Sequence, residues 1–140
     1  MKIGEWDDIG RARGLIVHQL GQLGADELAA HVALNPDTGR QRILVATDIG
    51  LLDYVWSAES PQPDARWSLR GNLVRWPSVR GLRLQTDAQF DPVSEDARAI
   101  WRLVAEDPKI ELSAGGGQAG DPSLPALLAF GRACLERSGA

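Results

Sequence analysis

The sequence predicts a mainly β domain of the α+β class, and three observations predict it. Apolar and polar residues alternate with a period of two over most of Leu28–Leu112, and turn residues break that stretch into short runs. A single amphipathic segment, Leu124 to Leu135, follows the last run. A separate helical period precedes the first. A strongly bent antiparallel sheet leaves one end open, and one terminal helix is a compact way to close it.

The chain has 140 residues, within the range of one domain. We expect a single domain over 1–140, with an N-terminal helical extension over 1–25 and a β-rich core over 27–138. The composition is 44% hydrophobic and 24% charged, ordinary for a globular fold. The net charge of −4 argues against a general nucleic-acid binder. Cys134 is the one cysteine, so no intrachain disulfide can form and a reducing compartment is favoured. The start, Met1 to Asp8, lacks the long apolar stretch of a signal peptide, and no run approaches the roughly 20 apolar residues that span a bilayer. The expectation is a cytoplasmic protein.

In the first segment Ile9, Ala12, Ile16, Leu20 and Leu23 recur at steps of three and four, on one helix face. Asp7 and Asp8 can cap it, and Gly24 can end it in a left-handed conformation. Gly10, Gly14 and Gly21 each weaken an isolated helix by about 1 kcal/mol relative to alanine. Such a helix needs packing, against the main domain or a second subunit.

The strands follow. Leu28, Ala30, Val32 and Leu34 alternate along the first, and Asn35 to Gly39 is turn chemistry. Ile43, Val45 and Thr47 mark the second, and Asp48-Ile49-Gly50 the next turn. Leu52, Tyr54 and Trp56 form the third, and Ser60 to Asp64 a loop. Trp67 and Leu69 begin the fourth; Gly71-Asn72 reads as a bend before Leu73 to Trp76, and Pro77 ends the run. Leu82, Leu84 and Thr86 share a face of the fifth, and Gln89 to Asp96 reads as a polar connection. Ala97–Ala105 fits a strand by the alternation of Ala99, Trp101 and Leu103 and a short helix by the spacing of Ile100, Leu103 and Val104; we choose the strand, because Asp107-Pro108 then turns it into Ile110-Glu111-Leu112 as a hairpin. Leu124, Leu127, Leu128, Gly131 and Leu135 line one face of the last helix, which Asp121-Pro122 or Ser123 can start and Gly139 can stop.

Seven strands followed by one helix resembles the pleckstrin-homology-like fold, in particular its bacterial members. Arg42 to Leu52 looks like their second strand, tight turn and third strand, and Leu73 to Leu82, with Trp76-Pro77, like their crossing into the fifth strand. The resemblance covers about Leu28 to Ser138 and leaves the N-terminal helix outside. It implies a seven-stranded, partly open barrel of two orthogonal antiparallel sheets capped by the C-terminal helix. It does not imply one function, because such domains bind phosphoinositides, peptides or other proteins. The lipid-binding members use basic residues on the first two strands. Here that region has His31, Arg40 and Arg42, with Asp37 among them and no lysine on the first strand.

No catalytic constellation, cofactor site or metal site emerges from the residues. Gly115 to Gly120 matches the letters of a dinucleotide fingerprint, but no second strand can follow it within a strand–helix–strand unit. His18 and His31 are the only histidines and read as surface or edge residues. Cys134 reads as inert packing. Of the five tryptophans, Trp56, Trp67 and Trp101 hold core parity, whereas Trp6 and Trp76 are candidates for an interface with Ile16 and Leu20. Arg66, Arg70, Arg75, Arg80 and Arg83 fall in the acid-free stretch Arg66 to Thr86.

The sequence therefore predicts a non-catalytic binding module that works by protein–protein interaction or self-assembly, possessing no cofactor and not binding nucleic acid. The candidate surfaces are the first helix and an exposed strand edge. The alternative is an anionic lipid or small ligand at the open end of the barrel, held by Arg40, Arg42, Arg66, Arg70 and Arg83.

Overall fold

The computed structural model describes residues 1–6, 9–34, 40–58, 67–94, 96–115 and 123–138. A 3-10 turn, Ile3–Glu5, precedes helix α1 (Ala12–Leu23). Strands β1 (Glu27–Leu34), β2 (Gln41–Thr47), β3 (Gly50–Ala58) and β4 (Trp67–Arg75) follow, then a second 3-10 turn, Trp76–Ser78. Strands β5 (Arg83–Asp91), β6 (Asp96–Ala105) and β7 (Ile110–Gly115) lead to helix α2 (Ser123–Ser138). The seven strands form two antiparallel sheets, ordered β1-β2-β3-β4 and β5-β6-β7. The fold is thus mainly β, with one helix at each end of the chain, as expected. The chain forms two compact units, Met1–Trp76 and Pro77–Ala140.

In the first unit α1 lies on one face of the four-stranded sheet. Ala12, Ile16 and Leu20 are buried, and with Ile3 and Ile9 they join a core of Ala30, Val32, Ile43, Val45, Leu52, Tyr54 and Trp56. Burying one such branched side chain stabilises by roughly 1.5–3 kcal/mol, enough to offset the glycines in the helix. The packing partner that α1 needed is its own sheet. Ile16 and Leu20, expected at an interface with another chain, are core residues instead. The helix belongs to the same compact unit as β1–β4. Gly24 ends it at φ 65°, in the left-handed region. Arg11 stands at the N-cap without a side-chain cap bond, and Asp7 and Asp8 lie outside the described residues.

The N-terminal segment runs along the outer edge of β1. The Ala30 N–H donates to Met1 O at 2.7 Å, and the Trp6 indole N–H donates to Ala30 O at 3.2 Å. The Ile3 N–H donates to the Glu27 carboxylate. That edge is therefore occupied by the chain itself.

The β2–β3 turn is built on Thr47. Its hydroxyl donates to Gly50 O at 2.7 Å and accepts from the N–H groups of Ile49 and Gly50. Trp76 is buried and its indole N–H donates to Thr47 O at 2.9 Å. The candidate interface residue Trp76 thus fastens this turn. Gly50 sits where a Cβ would lie 2.5 Å from Val74 O, so the β3–β4 approach excludes any side chain there. Strand β4 runs unbroken through Gly71 and Asn72, where a bend was expected. The reason is the neighbour: Tyr54 pairs with Gly71, and its ring fills the space a side chain would take.

In the second unit α2 packs on β6 and β7. Leu127, Phe130, Gly131 and Cys134 are buried, and Leu128 is half-buried. A Cβ on Gly131 would meet Leu103 and Leu84 at 3.4 Å, so the helix sits close over the sheet. β6 and β7 pair from Ile100–Gly115 to Ala105–Ile110, the expected hairpin, with its turn through Asp107-Pro108. The polar connection expected over Gln89 to Asp96 is shorter: β5 continues to Asp91 and β6 begins at Asp96. Ala88 and Phe90 keep the apolar parity of β5, and cross-strand pairing with Ala99 and Ala97 carries the ladder outward.

Two glycine substitutions should act oppositely. Gly14→Ala adds a methyl in open space within α1 and should stabilise by up to about 1 kcal/mol. Gly50→Ala drives a methyl against the Val74 carbonyl and should destabilise by roughly 1–3 kcal/mol. Urea unfolding of the three proteins measures both; equal midpoints would contradict the close β3–β4 approach.

Candidate functional site

A groove of about 340 Å³ lies in the first unit between α1 and the edge strand β4. The sheet supplies its floor. Leu52 and Tyr54 come from β3, and their partners Leu73 and Gly71 from β4, all on the face that α1 covers. Gln19, Gln22 and Leu23 line the helix side. Leu52 and Tyr54 are buried, whereas Leu73 is 39% and Leu23 46% exposed. The Tyr54 hydroxyl donates to Gln19 Oε1 at 2.8 Å, which ties floor to wall. Burial pushes the Tyr54 phenol above its usual range, so it remains a donor.

Chemically the groove offers an apolar floor, two glutamine amides and a sheet edge. Among the described residues that line it, none is charged. β4 is the last strand of its sheet, so its outer backbone groups face away from β3. An extended polypeptide meets all three features at once: backbone for the edge, an apolar side chain for the floor, polar groups for the amides.

Of the arginines expected to bind an anion, Arg40, Arg42 and Arg70 belong to the first unit and Arg83 to the second. Arg42 forms a two-pronged pair with Asp53, Nε to Oδ1 at 2.9 Å and Nη2 to Oδ2 at 2.7 Å. Its charge is answered within the sheet. Arg42 and Arg70 flank Val55 on one cross-strand row, Arg40 precedes β2, and Arg83 belongs to the second unit. Arg66 lies outside the described residues, as do all of the glycine-rich stretch Gly115 to Gly120 except Gly115 and the whole turn Asn35 to Gly39.

His31 was read as a surface or edge residue, and it is buried, 5% exposed. It stands on edge strand β1, but Trp6 closes over it, the rings meeting edge-to-face at 5.4 Å. Loss of hydration, aided by the nearby N-terminal ammonium, lowers its pKa to about 4, so it is neutral at pH 7. Trp6 itself is half-buried in this contact. Cys134 is buried, and burial pushes its thiol up to about 12, in keeping with inert packing. Among the described residues no three His, Cys, Asp or Glu side chains gather into a metal site, and no helix is long and apolar enough to cross a membrane.

No family model, curated protein or solved structure matches this chain. The groove residues escaped the sequence reading. Leu23 and Leu52 looked like core, Gly71 like a bend, and no linear signal marks which apolar positions lie beyond the reach of α1.

His31 should make stability pH-dependent. The unfolded imidazole protonates near 6.5 and the folded one near 4, so between these values the unfolded state binds the extra proton. His31's contribution is complete above pH 6.5 and falls away as the pH drops to 4, by an amount on the order of a few kcal/mol. Urea unfolding at pH 7 and pH 4.5 should show a smaller drop for His31→Gln than for the parent; parallel drops would refute this.

Proposed function

We propose that this protein is a non-catalytic binding module that takes an extended polypeptide segment along β4, with an apolar side chain of that segment in the α1–β4 groove. The observation that carries the reading is the Tyr54–Gly71 pairing at the sheet edge. Because position 71 has no side chain, the buried Tyr54 ring packs against bare β4 backbone, and half-exposed Leu23 and Leu73 flank it at the groove rim. A monomeric fold has no packing need for apolar residues held open in this way. The absence of charge among the described lining residues favours an apolar peptide over a phosphorylated ligand, and Arg42 is already paired with Asp53. The pleckstrin-homology-like resemblance is compatible with such a role, and the reading does not depend on it.

Selection from a displayed library of random peptides, with the full chain as bait, tests the proposal. The enriched peptides should carry an apolar residue flanked by residues free to extend. Their amide-resonance shifts should concentrate at Gln19–Leu23, Leu52–Tyr54 and β4. Leu73→Asp and Leu23→Asp, both at partly exposed positions, should weaken binding by about tenfold or more while leaving the fold intact. Binding unchanged in both variants would refute the groove.

A further inference from the structure

The second unit carries an edge of a different kind. β5 is the outer strand of its sheet, and every residue from Gln85 to Asp91 is exposed, on both faces. β7 pairs with β6 as far as Ile100, and beyond that point, among the described residues, β5 and β6 pair with each other alone. The end of this pair carries Phe90, 64% exposed, and Val93, 92% exposed. A two-stranded ribbon is marginal in water, and a long edge strand with an apolar stripe invites pairing.

The stripe extends a buried face. Leu84, opposite Leu103, lies under α2. Thr86 is opposite half-buried Trp101, Ala88 opposite Ala99, and Phe90 follows on the same side. The other side of β5 carries Gln85, Asp87, Gln89 and Asp91, with Arg102 opposite Gln85.

This strand is complementary to itself. We infer that a second copy of this chain pairs with it, β5 against β5, antiparallel about a two-fold axis at Ala88. That register uses all seven exposed residues. On the apolar side Ala88 meets Ala88 of the second copy, and Thr86 meets its Phe90, which extends the row that holds Trp101. On the polar side Asp87 meets Gln89 of the second copy, and Gln85 meets its Asp91. Each carboxylate thus faces an amide, and Asp91 also looks along a row toward the positive charge of Arg102. The Asp91 carboxylate accepts the Val93 N–H at 2.9 Å within its own turn, which holds it charged at the strand end. Neighbouring registers are worse. Centring on Asp87 opposes two Asp87 carboxylates at the axis, although it sets Arg83 against Asp91; centring on Gln89 opposes Asp87 to Asp91 twice; and centring on Thr86 sets Phe90 against Leu82, beyond the end of β5. The contact is isologous and closes as a dimer, so it does not propagate into fibres. It is independent of the α1–β4 groove, which lies in the other unit.

Sedimentation velocity of the full chain over a concentration series tests this inference. The parent should shift from monomer to dimer with rising concentration. Ala88→Lys, which opposes two ammonium groups at the axis on an exposed position, should stay monomeric with an unchanged circular dichroism spectrum. Ala88→Cys should be joined by a short bismaleimide much faster than Val93→Cys, the more exposed control. A parent monomeric at every concentration, a dimer that survives Ala88→Lys, or equal cross-linking of the two cysteine variants would overturn the inference. The groove is read separately: Ala88→Lys should retain the selected peptides, so loss of the dimer and loss of the groove reading are distinguishable.

Discussion

The burial of a single helix face supports the whole of the first unit. Ala12, Ile16 and Leu20 cover the sheet from one side, and the same contact offsets the weakness that Gly14 and Gly21 impose on α1. Neither partner is self-sufficient. A 12-residue helix of this composition is marginal alone, and the sheet face would otherwise expose Ile43, Val45 and Leu52. The N-terminal segment adds a second restraint by occupying the β1 edge through Met1, Ile3 and Trp6.

The position of that helix decides what remains open. Ile3, Ile9 and the buried face of α1 join residues of β1, β2 and β3 in one core, with Leu69 of β4 packed against it, while Leu73 of β4 stays 39% exposed. Burial and access are therefore two results of one packing geometry. Tyr54 belongs to both: it is part of the core cluster, it bonds to Gln19 of the helix, and it forms the floor of the groove beside Gly71.

The two sheets treat their edges differently. In the first, β1 is covered by the chain's own start and β4 borders a groove. In the second, β5 extends outward with both faces wet and ends in apolar residues. Natural sheets commonly blunt such edges with lysine, proline or bulges. Here the described part of β5 carries none of these, and only Arg83, Asp87 and Asp91 are charged. Charge so placed can select a partner register while still opposing indiscriminate stacking.

The amino-acid sequence by itself determined the class of the fold and the order of its elements. Period-two alternation set the strands, Gly24 the end of α1, and Asp107-Pro108 the β6–β7 turn, because each of these is a local preference read over a few residues. Other features were decided only by tertiary structure. Gly71 bends a chain in isolation but extends it when the Tyr54 ring stands opposite. His31 has polar parity on an edge strand, yet Trp6, 25 positions earlier, buries it. Ile16, Leu20 and Trp76 have the composition of an interface, and Arg42 that of an anion ligand, until their contacts within the chain are known. The open groove at β4 has the same origin, since which apolar residues stay uncovered depends on how far a packed helix reaches across the sheet.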